Sequence, residues 1–182
     1  MSGAQFDAAR TRMLTKIGDD VARVGWSSIG VFPTVDDDQT QQFMYSIGLP
    51  TTLDHPELIV YGLPYRQAHA VLFSAIEEIR RGAKLEPGTK TPNVLEGYDV
   101  LIRETDPLTA PHTFAVVWSA VAAAGPAIQG AAEPEPRIVD AVPPIVQVVW
   151  PDNEGRFPGD PDCDPATVAD QEPVLYDRTE EQ

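Results

Sequence analysis

Apolar residues recur along this chain with two periods, and the switches between them lay out an order of elements. Phe6, Met13, Ile17, Val21 and Val24 fall at helical spacing with Asp19, Asp20 and Arg23 left for solvent, which predicts an amphipathic helix over residues 4–24 stopped by Gly25. Two strands follow, Trp26 to Phe32 and Gln42 to Ile47, joined by a loop from Pro33 to Gln41 that carries Asp36, Asp37 and Asp38. Phe43, Tyr45 and Ile47 alternate, as a strand with one buried face requires. Glu57 to Leu63 is apolar after its first residue, the pattern of a strand covered on both faces, and it is the expected sheet centre.

Pro64 opens a second helix whose stripe is Ala68, Leu72, Ile76 and Ile79, with Glu77, Glu78, Arg80 and Arg81 outside and Gly82 at its end. Leu85 to Glu96 reads as irregular, after which Tyr98, Val100 and Ile102 alternate as another strand. Over residues 112–124 the spacing of Phe114, Val117, Trp118 and Val121 and the run of alanines point to helix, against a β-branched content that also suits a strand. Gly125 to Pro144, rich in Ala and Pro, reads as a connecting loop, and Ile145 to Trp150 as a short strand. Pro151 to Gly155 has turn chemistry that presents Arg156 and Phe157. The expected fold is α+β: a mixed, mainly antiparallel sheet or partial barrel of about five strands, packed with two to three helices. Residues 1–165 are expected to form a single domain, and 166–182 an acidic C-terminal tail.

Charge narrows the partners. The chain of 182 residues carries a formal charge of -15 with only 13 Lys and Arg, which argues against nucleic acid and anionic membrane, since both are held by basic side chains. More than half of that charge sits in residues 152–182, where ten Asp and Glu face Arg156 and Arg178. Cys163 is the single cysteine, so no internal disulfide can form and a reducing compartment fits best. Residues 1–12 lack the apolar core of a signal peptide, and no run approaches the roughly 20 apolar residues that span a bilayer. The expected location is therefore cytoplasmic.

Strong short motifs for nucleotides, α/β hydrolases and zinc ribbons are absent. Asp54 to Glu57 is the densest chemistry: His55 and Glu57 would share one side of an extended strand, where a carboxylate could orient an imidazole, although an Asp-His-Pro turn explains the same residues by backbone geometry. His69 borders the apolar stripe of its helix, as a boundary residue would. Cys163 lies between Asp162 and Asp164, whose charge disfavours a thiolate. Asp160, Asp162 and Asp164 alternate as in the start of a calcium loop, but Pro161 and Pro165 interrupt them, and no metal is expected.

Four separated motifs, Gly25-Trp26, Tyr45 to Leu49 (YSIGL), His55 to Pro64 (HPELIVYGLP) and Gln147 to Pro158 (QVVWPDNEGRFP), together resemble the uncharacterised bacterial family called domain of unknown function 4262. The resemblance runs from about Asp19 to Val174 and implies a small, soluble, stand-alone protein, with no activity or catalytic residue to carry across. The chain departs from the pattern in a long Ala- and Pro-rich insert at Gly125 to Pro144 and in Gly159, where an aromatic is expected.

Two functions follow. The first is a non-enzymatic binding or interaction module in which Tyr45, His55, Trp150, Arg156 and Phe157 gather at one end of the sheet and recognise a protein or small molecule. The second is a flavin-binding oxidoreductase of split-barrel type, with Ser46, Thr51, Thr52 and Arg66 as phosphate donors for flavin mononucleotide. A metal-dependent hydrolase would join His55 and Glu57 to His112 or Asp152, and is the more distant alternative.

Overall fold

A computed structural model describes residues 3–33, 41–105 and 144–172. The expectations for residues 34–40, for 112–124, for nearly all of the 125–144 loop and for the tail beyond 172 lie outside the described residues. In chain order the elements are α1 (Gly3–Val24), β1 (Ser27–Val31), β2 (Phe43–Ile47), α2 (Leu49–Thr52), β3 (Glu57–Tyr61), α3 (Tyr65–Arg80), β4 (Lys90–Leu95), β5 (Tyr98–Glu104), β6 (Ile145–Val149) and α4 (Pro165–Gln171). The strands form one open sheet in the order β1-β2-β3-β6-β5-β4. Every neighbouring pair is antiparallel except β3 with β6, which run parallel with Glu57 opposite Ile145. Among the described residues the fold is thus the expected α+β arrangement, with a mixed, mainly antiparallel sheet of six strands that does not close into a barrel.

Alternation along the strands divides the apolar residues between two faces. Met44, Leu58, Val60, Val100, Ile102, Val146 and Val148 meet the α3 stripe of Ala68, Val71, Leu72, Ala75, Ile76 and Ile79. Phe43, Tyr45, Ile47, Ile59, Tyr61 and Ile145 face the other way, where Ile17 of α1 packs with Leu14 and Val21. All five residues of β3 are buried, so the expected centre is correct. Met13 is a correction: it is 42% exposed, and Leu14 takes its place because 14, 17 and 21 align better on one face of the helix.

Residues 85–96 are also corrected. Lys90 to Leu95 pairs with β5 as a hairpin, with a register shift between Thr91 and Leu95 and Asn93 at φ 67°. The bulge places the buried residues Thr91 and Val94 three apart, which destroys the period-two signal. At the C-terminus, Asp164 caps α4 by accepting from the Ala166 N–H at 2.9 Å, with Pro165 in the first turn. Gln171 then fastens that helix to the sheet: its Nε2 donates to the Trp150 carbonyl and its Oε1 accepts from the Trp150 N–H. Its own carbonyl accepts from Gln147 and Arg103. Residues 166–171, expected in the tail, are therefore docked. Among the described residues no helix is long and apolar enough to cross a membrane.

Candidate functional site

The residues singled out in the sequence fall into two groups at opposite ends of the sheet. Because β3 and β6 are parallel, Glu57 at the start of one and Trp150 just past the end of the other are separated by the length of the strands, on the order of 15 Å. The expected gathering of Tyr45 and His55 with Trp150, Arg156 and Phe157 at one end does not form. Arg66 stands apart from both groups, exposed on the first turn of α3.

At the first end, Gly48 turns the chain out of β2 with φ 113° and starts α2. The Gly48 N–H donates to Oε1 of Glu57 at 2.6 Å, and the Ser46 hydroxyl donates to Oε2 while accepting from the Leu58 N–H at 2.9 Å. Burial pushes the Glu57 carboxyl up to about 7, and the bonds from Ser46, Gly48 and Leu49 pull against it without cancelling it. Tyr45, buried in the same layer, is held above the ordinary phenol range by its burial and then by the Glu57 charge. His55 is not oriented by Glu57. Asp54 sits at φ 50°, the strand begins only at Glu57, and the His55 Nδ1 lies 2.8 Å from the Pro56 carbonyl. The same-side rule for extended chain therefore does not reach back to residue 55.

At the second end, Asp152 organises the turn. Its Oδ1 accepts from the N–H groups of Glu154 and Arg156, and its Oδ2 from Arg156 Nε and the Asp164 N–H, each within 3.1 Å. Desolvation pushes this carboxyl up, but those donors outweigh it and hold it at about 2. The Arg156 guanidinium is raised in turn by its bond to Asp152. Trp150 donates its indole N–H to the Tyr61 carbonyl at 2.9 Å, and Phe157 lies under Lys90, whose ammonium is 4.7 Å from the ring centre. Asp160 accepts from the Phe157 N–H and Asp164 from the Ala166 N–H, so two carboxylates of the acidic row serve nearby backbone. Cys163 is raised by burial and then by Asp152. Among the described residues no group of three or more His, Cys, Asp or Glu is placed to hold a metal. The nominated phosphate donors do not converge either. Ser46 is buried against Glu57, and the hydroxyls of Thr51 and Thr52 donate to the Gly48 carbonyl, Thr52 also to that of Gly25.

A cleft lined by aromatic and charged side chains lies elsewhere, between the end of α1, edge strand β1 and α3. It has a volume of about 370 Å³ and is lined by Trp26, Tyr65, His69 and Phe73, with Lys16, Asp20, Arg23 and Arg80 at its rim. Trp26 and His69 lie 6.0 Å apart, Trp26 and Phe73 6.5 Å, and Tyr65 and His69 6.3 Å, so the rings form a continuous aromatic wall. Tyr65 is 58% and Phe73 49% exposed, an arrangement that core packing alone does not require. A larger cleft of about 460 Å³ follows the β4–β5 turn, lined by Ser74 and residues 92–99, with no cation in its lining and Tyr98 as its one aromatic ring. Sequence reasoning missed the aromatic wall, although Tyr65, His69 and Phe73 recur every fourth residue along one side of α3.

One family model, domain of unknown function (DUF4262), matches residues 20–164. No curated protein and no solved structure matches the chain.

Proposed function

This chain belongs to the DUF4262 family, and we propose that it is a binding module whose seat is the aromatic cleft between α1, β1 and α3. The observation that carries the reading is the ring wall itself: Trp26 is fixed in the core, while Tyr65 and Phe73 turn large apolar faces to solvent beside it. Rigid aromatic side chains give contact area at small entropic loss, and exposing them unfavourably is explained by what they meet. The carboxylates that would otherwise suggest chemistry are engaged in holding the fold, Glu57 by Ser46 and Gly48, and Asp152 by the backbone of its turn.

The test is a screen of small aromatic fragments against the labelled protein by NMR. Hits are expected to shift the resonances of Trp26, His69 and Phe73 and to weaken several-fold in Tyr65→Ala. Hits that cluster on another surface, or that bind Tyr65→Ala as well as the parent, would remove the cleft from consideration.

A further inference from the structure

We infer that the ligand of this cleft is a small aromatic anion, a flat ring system bearing a carboxylate; this rests on the reading of the cleft as the binding seat. Size comes first. About 370 Å³ lies at the lower end of small-molecule sites, room for a fused two-ring system against Trp26 and His69.

Charge then selects the class. The rim brings Lys16, Arg23 and Arg80 together, opposed by Asp20 and, at Arg80, by Glu77, which leaves one cation in excess in a chain whose 28 Asp and Glu outnumber 13 Lys and Arg. A local excess of cations on so acidic a protein is the reverse of what chance placement gives. Asp20 is already claimed from both sides: Oδ2 meets Lys16 Nζ at 2.5 Å and Oδ1 meets Arg23 at 2.9 Å, and these bonds hold its carboxyl below the ordinary range. It is therefore poorly placed to recruit a cation to the rings. The Lys16 and Arg23 side chains are 75% and 70% exposed, so they can share their charge between Asp20 and a bound anion at the small cost of loosening exposed ion pairs. Arg80 is anchored, with Nη2 donating to the Val24 carbonyl and Nη1 to Glu77, which uses two of the five donors of its planar fork and fixes the remainder beside the rings. An aromatic cage for a quaternary ammonium needs the opposite rim.

The experiment titrates the full chain with three probes of one shape, 1-naphthoate, neutral 1-naphthamide and cationic 1-naphthylmethylammonium, followed by NMR at pH 7.5 and low salt. The expected result is shifts centred on the Trp26 indole for the naphthoate, binding on the order of five-fold tighter than the amide, and the cation weakest, as exposed charge pairs provide. Lys16→Ala with Arg23→Ala should abolish the preference while the amide still binds, and the same spectra report that the fold is intact. Equal affinities for the three probes, or a preference that survives in the double variant, overturn the anion assignment and leave the cleft as a seat. Shifts that avoid Trp26 and His69 for every probe overturn both.

Discussion

Glu57→Gln should make the protein more stable at neutral and alkaline pH, and the size of the gain follows from where the carboxyl sits. Buried in the first layer of β3, it titrates at about 7 instead of the ordinary 4.5. Below 4.5 both the folded and the open chain hold the proton, and the stabilising share of this group is fully present. As pH rises from 4.5 toward 7 the open chain gives up its proton first, so stability is lost, and above 7 the loss is complete at about 3 kcal/mol. Glutamine keeps the shape and an acceptor for the Gly48 N–H while carrying no charge to bury. Urea denaturation of both proteins from pH 5 to 8.5 should therefore show Glu57→Gln gaining on the parent by roughly 2–3 kcal/mol across that range. Taking the difference cancels every other titrating group. Ser46→Ala supplies an independent check, since removing the hydroxyl that favours the anion should move the parent inflection further up. A difference curve that stays flat over this range, or that falls with pH, would show that burial does not govern this carboxyl.

Other perturbations have equally definite outcomes. Asp152→Asn should destabilise the turn at every pH from 5 to 8: the stability held by this carboxylate is present above the ordinary 3.8 and is lost only as pH falls through about 2, so urea midpoints should shift by a constant amount across that range. Gly62→Ala would place a methyl 2.7 Å from both Cβ and the carbonyl oxygen of Asp170 at φ 78°, so amides of α4 should exchange with deuterium faster while those of α3 do not. Leu72→Ala removes a fully buried side chain from the sheet-facing stripe of α3 and should lower the unfolding free energy by about 2–5 kcal/mol, read by the same denaturation.

Where one period governed a segment, the sequence was sufficient. β3 announces itself as an unbroken apolar run, and α3 by a stripe that repeats through four turns. β4 was illegible because Pro92 and the left-handed Asn93 interrupt its alternation, and a bulge cannot be told from a loop without its partner strand. The start of α4 is visible in Asp164-Pro165, a cap followed by a helix-initiating proline, but Asp164 also completes the Asp160-Asp162-Asp164 alternation, which draws the eye to a calcium loop that Pro165 interrupts. For the site, chemical density misled. Glu57 finds its partners only through the register of β2 on β3, which brings Ser46 and Gly48 to it across the strands. The aromatic wall is half legible: the four-residue recurrence on α3 can be seen in the sequence, whereas Trp26 joins it only because β1 is the edge beside that helix.

The parallel pairing of β3 with β6 also sets the order in which the protein can be assembled. β1, β2 and β3 are joined by short links, as are β4 and β5, so each set can pair from nearby chain. Among the described strands the one between them, β6, is the last to leave the ribosome, and Glu57 must wait for Ile145. Until then two sheet fragments expose the inner edges of β3 and β5, both able to pair with another nascent chain. A polypeptide ending before residue 145 would carry those two open edges permanently, and a separate piece holding β6 and α4 is the natural complement to close them.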